Sequence, residues 1–271
     1  MTPGAFKCNK TNPRYAVSRV NTKANYTPAY FGFKSISGDG SGVKICIIDT
    51  GYPKHKNIQF RPGNVIDFSE SKNAALDTHG HATGVGGILK ATGSNVTGIV
   101  PNADIYYAKG IGDSGEGSHG SVQAALLYAI VKRADIIVMS FGAENRHPVL
   151  HDVVKKAYRE GIAMFAAAGQ SRRSTADSDY PARFPEVMSV GCISGKLPKA
   201  GSNGAPHIDL PIQSLHTAYT DDRFIKMSGT SIAAPVVAGI GAILLQNSSE
   251  QGRPLNPQQI YDKLISLCRG K

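Results

Sequence analysis

Short apolar runs recur along this chain, each too short for a helix of ordinary length. Val43-Lys44-Ile45-Cys46-Ile47-Ile48, Ile136-Ile137-Val138-Met139, residues 162–168 and residues 187–193 read as strands buried on both faces. Asp104-Ile105-Tyr106-Tyr107-Ala108-Lys109 alternates and reads as a further strand. Between these runs the period changes. Val122, Ala125, Leu126, Ala129 and Ile130 fall at helical spacing, and residues 149–160 form a helical stretch closed by Gly161. The alternation predicts a three-layer, doubly wound α/β fold, a mostly parallel sheet with helices on both faces. A length of 271 residues suits one large domain. No internal repeat or low-complexity tract interrupts it.

Three segments carry chemistry. Gly229-Thr230-Ser231-Ile232-Ala233-Ala234-Pro235 leads into an apolar helical run, so Ser231 stands at a helix N-terminus, where free N–H groups and the macrodipole favour a developing anion. A serine hydroxyl needs a base before it becomes a nucleophile. Gly80-His81-Ala82-Thr83-Gly84 supplies one, with small residues that let its helix pack closely. The first strand ends at Asp49-Thr50-Gly51, which delivers Asp49 to the carboxyl edge of the sheet, where open α/β folds keep their sites. Taken singly, Asp49 could be a turn former, His81 a structural histidine and Ser231 an N-cap. Together, in the order Asp49, His81, Ser231, they point to nucleophilic catalysis. His79 lies beside His81 and is read as a rim residue of the cleft.

These motifs resemble those of the subtilisin-like serine proteases, from about Tyr15-Ala16-Val17-Ser18 to the C-terminal segment. The resemblance implies Ser231 as nucleophile, His81 as general base and then acid, and Asp49 as the holder of the imidazole tautomer. It also implies substrate-binding backbone at Gly115-Glu116-Gly117, at Ser140-Phe141-Gly142 and at Ala168-Gly169. An extended polypeptide would pair with these edges. Oxyanion donors are expected from the Ser231 N–H and from Gln170, which stands where the family usually has Asn. Asp179, before Tyr180-Pro181, aligns with the floor of the primary specificity pocket. An anionic floor implies a preference for Lys or Arg before the scissile bond, and Glu116 extends it to another subsite. The competing reading pairs Asp179 with Arg172, Arg173 or Arg183. No cofactor is expected. The loop Ala91-Thr92-Gly93-Ser94-Asn95-Val96-Thr97-Gly98, where many relatives bind calcium, is short here and has no carboxylate.

The remaining composition narrows the setting. Lys and Arg number 30 against 20 acidic residues, a net charge of +10. These cations are scattered, without a basic stripe or interleaved aromatics, which argues against a nucleic-acid partner. No apolar run is read as long enough to span a membrane. Four cysteines without zinc spacing, Cys46 and Cys192 in core strands, fit buried free thiols and a reducing compartment, while a Cys8–Cys268 bridge stays open on spacing. The first residues lack the apolar core of a secretory signal, so a cytoplasmic location is expected. Residues 1–14 read as an N-terminal extension that covers the cleft until removed, and residues 15–271 as the catalytic domain. The expectation is a serine endopeptidase with a polypeptide substrate. The alternative is a catalytically weak relative that binds peptides, with Gln170 as its supporting feature.

Overall fold

The computed structural model describes residues 6–8, 23–169, 178–193, 206–212 and 214–269. Seven strands form the central sheet: β1 Lys44–Asp49, β2 Val65–Asp67, β3 Asp104–Lys109, β4 Ile136–Met139, β5 Ala163–Ala167, β6 Met188–Cys192 and β7 Ile208–Leu210. Their order is β7-β6-β5-β4-β1-β3-β2, and every neighbouring pair is parallel. The chain passes from β3 on one side of β1 to β4 on the other. The carboxyl end of β1 is therefore the switch point of the sheet, and Asp49 is its last residue.

Alternation along β1 divides the interior into two cores. Ile45 and Ile47 join the layer built with α1 (His81–Lys90), α4 (Thr230–Glu250) and α5 (Pro257–Arg269). Cys46 and Ile48 join the layer built with α2 (His119–Val131) and α3 (Pro148–Arg159). Successive Cβ atoms point to opposite faces of a strand, so a strand covered on both sides must be apolar throughout. The expected alternation in β3 is corrected on the same ground: Ile105, Tyr106, Tyr107, Ala108 and Lys109 are all buried. Lys109 tolerates burial because its ammonium donates to the Leu76 carbonyl and the Asp113 carboxylate at 2.8 and 2.6 Å.

Helix α4 revises another expectation. It is 21 residues long with a mean hydropathy of 1.4, long and apolar enough by those measures to cross a membrane, yet 83% of that window is buried inside the protein. It packs against β4, β5 and β6 and against α1 and α5, so it is apolar all round because protein surrounds it. Fully burying Ile240 or Ile243 contributes roughly 1.5–3 kcal/mol each.

The glycines of α1 serve packing on two sides. A Cβ at Gly84 would strike the Met227 sulfur, and one at Gly87 would strike the Thr217 hydroxyl, both on the antiparallel hairpin of Leu215–Tyr219 with Arg223–Met227. Gly86 makes room for the Tyr107 hydroxyl of β3. The close partner of this helix is thus mainly the hairpin. Thr217 Oγ1 also donates to the Gly84 carbonyl at 2.7 Å.

Candidate active site

Asp49 and His81 meet at the carboxyl end of β1, each 1% exposed. His81 Nδ1 lies 2.8 Å from Asp49 Oδ1 and 3.0 Å from Oδ2. A carboxylate accepts only, so Nδ1 carries the proton and Nε2 keeps the lone pair that a general base needs. The Thr50 backbone N–H holds Asp49 Oδ1 from the other side at 2.7 Å. Burial works against a protonated imidazole here, but the Asp49 carboxylate and, after it, the Cys8 sulfur override it and hold His81 well above the ordinary histidine value.

A second carboxylate fixes the helix that carries His81. Asp77 is 3% exposed. Its Oδ1 accepts from Thr50 Oγ1 at 2.8 Å, His79 N at 3.1 Å and Gly80 N at 2.8 Å. Its Oδ2 accepts from Thr83 N at 2.7 Å and Thr83 Oγ1 at 2.6 Å. Thr50 Oγ1 in turn accepts from Ala82 N at 3.0 Å. Two free N–H groups of α1, those of Ala82 and Thr83, are thereby satisfied, and a negative charge sits at the positive end of its dipole. Asp77 escaped the sequence reading. Its one signal was its place four residues before His81.

Ser231 occupies the first turn of α4 and is 6% exposed. Gly229 precedes the helix at φ +110° with no side-chain cap, and no acidic residue lies in the first turn. His81 Nε2 is buried without a hydrogen-bond partner among the described residues, so the Asp49–His81 bond is made and the His81–Ser231 bond is not.

Residues 6–8 lie in the cleft. Phe6–Lys7 pairs antiparallel with Glu116–Gly117. On its other side Lys7 N donates to the Gly142 carbonyl at 3.0 Å, and Gly142 N donates back to the Lys7 carbonyl at 3.3 Å. Cys8 N donates to the Gly115 carbonyl at 2.9 Å. The segment is thus the middle strand between the two edges expected to take substrate. The Phe6 ring is fully buried, edge-on to Phe141 and His119 at 5.3 and 5.1 Å. Lys7 Nζ reaches Glu116 at 3.1 Å. The Cys8 thiol rests on the Asp49–His81 pair, 3.9 Å from Asp49 Oδ1, and burial raises its pKa to about 11.

The family model described as the Subtilase family matches residues 40–267. The chain belongs to the subtilase family. This subtilase is similar to the Thermostable alkaline protease of Halalkalibacterium halodurans, 31% identical over 85% of the chain and 62% of that protein. It is 33% identical to Subtilisin DY of Bacillus licheniformis, over 84% of each. It is 31% identical to the Major intracellular serine protease of Bacillus subtilis, over 83% of the chain and 76% of that protein. Its activity class is that of a serine endopeptidase.

The other expected site residues of this subtilase fall around the cleft as follows. Ser140, Phe141 and Gly142 follow β4, and Ala168 and Gly169 follow β5, Gly169 at φ +91°. Asp179 donates its N–H to the Ala168 carbonyl at 2.9 Å, and its side chain lies against Gly142. Arg183 places its guanidinium over the Tyr180 ring at 5.5 Å. Gln170, Arg172 and Arg173 lie outside the described residues. The His79 ring borders Gly115, 6.2 Å from the His81 ring, on the edge of the cleft. In the 91–98 loop Gly93 and Val96 are joined by their own backbone bond at 3.1 Å, and the loop contains no carboxylate. None of the four cysteines, all among the described residues, is in a disulfide, so Cys8 and Cys268 are not bridged.

Proposed function

We propose that Ser231, His81 and Asp49 form the catalytic triad of this endopeptidase and that its own residues 6–8 hold it latent. His81 Nε2 takes the hydroxyl proton as Ser231 Oγ attacks the scissile carbonyl carbon. The tetrahedral oxyanion forms at the uncapped N-terminus of α4, with the Ser231 N–H and the Gln170 amide as donors. On collapse the same proton passes from His81 to the leaving amine, and Ser231 keeps the acyl group. Water then repeats the cycle from the other side and frees the acid.

The observation that carries this reading is the strand pairing of Phe6–Lys7 between Glu116–Gly117 and Gly142, which sets Cys8 against His81. An extended substrate would use the same main-chain bonds, because both edges offer them to any backbone. The side chains of the docked segment then map subsites. An aromatic group fits between Phe141 and His119, and a cation faces Glu116. Lys7 is therefore not the residue beside the scissile bond in this register, and self-trimming falls to Lys10 or Arg14.

Asp179 is our candidate for basic selectivity in the primary pocket. A charge-assisted contact of roughly 1.5–3 kcal/mol would favour Lys or Arg about 10- to 100-fold in kcat/KM. Asp179→Gly should move the preference to large apolar residues, and a peptide library with no basic preference in the parent would remove this assignment.

The decisive experiment is labelling with a serine-reactive fluorophosphonate. The intact chain should label slowly and a chain lacking residues 1–14 quickly, while Ser231→Ala should not label. Absence of labelling in the shortened chain would favour a peptide-binding relative without turnover. Identical intact masses for the parent and Ser231→Ala proteins would refute self-trimming.

A further inference from the structure

We propose that the Cys8 thiolate, the Asp49 carboxylate and the His81 imidazole form a binding site for a divalent ion of the zinc class, which clasps the N-terminal segment onto the catalytic pair. The proposal rests on the docking of residues 6–8 described above.

Geometry gathers the donors. One ligating atom from each of the three buried residues lies within 4.8 Å of the other two, and among the described residues this Cys/His/Asp group stands out. The Cys8 sulfur is 3.9 Å from Asp49 Oδ1. It does not swing freely, because the Cys8 N–H is tied to Gly115 and Lys7 is tied to Gly142 on both sides of its peptide. The His81 ring is 1% exposed, and its Nε2 has no hydrogen-bond partner among the described residues. The ligating nitrogen is Nδ1, which already faces both Asp49 oxygens at 2.8 and 3.0 Å; the ion takes the place of its proton, which passes to the unpartnered Nε2. Metal–ligand bonds of about 2.0–2.3 Å require these atoms to draw together only slightly.

The chemistry selects the ion. One sulfur, one nitrogen and one oxygen form a borderline-soft set, suited to zinc and foreign to calcium or magnesium. On binding, the Cys8 S–H bond breaks, the sulfur–metal bond forms, and the proton leaves to solvent. A thiolate and a carboxylate then balance the two charges of the ion, and the centre is neutral, the state that burial favours. A fourth position stays open to water. The bound ion engages the imidazole that must act as base and fastens the segment that covers the cleft. At an ion concentration 100 times its dissociation constant, release of the segment should fall by about 100-fold.

The test uses full-length Ser231→Ala protein, stripped with a chelator and titrated with cobalt(II) as a spectroscopic stand-in. We expect one equivalent to give a thiolate-to-cobalt charge-transfer band with visible bands of tetrahedral intensity, and zinc to abolish both. Cys8→Ser should remove the charge-transfer band. In parallel, alkylation of Cys8 in the metal-free protein, read by mass, reports docking; it should be slow, and fast in Phe6→Ala. Slow alkylation without the band overturns the metal site and leaves the docking intact. A band that survives Cys8→Ser also overturns it. Equal alkylation in both proteins removes the docking and the site together. In the parent enzyme zinc should delay the onset of activity and chelator should shorten the delay, with neither effect in Cys8→Ser.

Discussion

Two helix N-termini carry the proposed base and nucleophile, and they are finished in opposite ways. Helix α1, which carries His81, is closed by Asp77 and Thr50, which take up Gly80 N, Ala82 N and Thr83 N. Helix α4, which carries Ser231, has a glycine before it, no side-chain cap and no acid in its first turn. The first arrangement holds the helix start in place and with it the His81 ring. The second leaves the positive end of a 21-residue helix without a resident charge, as the proposed oxyanion role requires. Capping α4 with a carboxylate would stabilise the fold and repel the oxyanion. A stable helix end and a catalytic one place opposite demands on the same N–H groups.

The largest effect expected at the capped side is at Asp49. Asp49→Asn presents a donor to His81 Nδ1 and favours the wrong tautomer, so kcat should fall about 10⁴-fold with the fold retained. The pH profile sharpens this. As the proposed base His81 must be neutral to act, and in the docked chain its pKa is held above the ordinary 6.5 by Asp49 and Cys8 against the effect of burial. In the active enzyme the Asp49 charge still favours the protonated ring, so activity should fall on the acid side as His81 gains its second proton, and in Asp49→Asn the acid limb should move down. Linkage has the matching sign. The raised pKa contributes stability that is fully present below 6.5 and is lost as pH rises through the folded value. An acid limb that does not move would show that Asp49 does not govern His81.

At the uncapped side the test is Gln170. Gln170→Ala should lower kcat about 10²–10³-fold with KM little changed if the amide serves the oxyanion, a magnitude taken from subtilisin itself. Gln170→Asn should raise kcat if the longer side chain misplaces its donor. An alanine variant as active as the parent would leave the α4 N-terminus to carry the oxyanion without it.

Asp77 gives the smallest catalytic effect and the largest effect on stability. Asp77→Ala strands buried donors at the start of α1 and should cost about 3–5 kcal/mol in denaturant unfolding. Where the protein still folds, misplacement of His81 should lower kcat/KM about 10- to 100-fold. Asp77→Asn, which keeps an acceptor oxygen, should restore part of both. A stable Asp77→Ala protein with normal kinetics would break the contrast between the two helix ends.

Much of this could be read from local pattern. The central strands were legible because burial on both faces demands unbroken apolar runs, as in Ile136–Met139. The start of α4 was legible because a serine before an apolar helix is a local statement. Edges of the fold were harder. Ile208–Leu210, the Arg223–Met227 strand with its exposed positions and the amphipathic α5 carry weaker patterns, because only one face of each meets the core.

The sequence by itself determined the layered α/β fold, the family and the order Asp49, His81, Ser231, since these depend on short-range periodicity and on residue types at fixed spacing. Only the tertiary structure decided that Asp77 fastens the histidine helix, that Gly84 and Gly87 yield to the Thr217 hairpin, and that Phe6-Lys7-Cys8 lies extended between Glu116–Gly117 and Gly142. The last is the most instructive. Three residues in an unpatterned extension hold no intrinsic strand preference strong enough to declare itself. Their conformation comes from two sheet edges more than 100 positions away, and a strand edge accepts any backbone that reaches it.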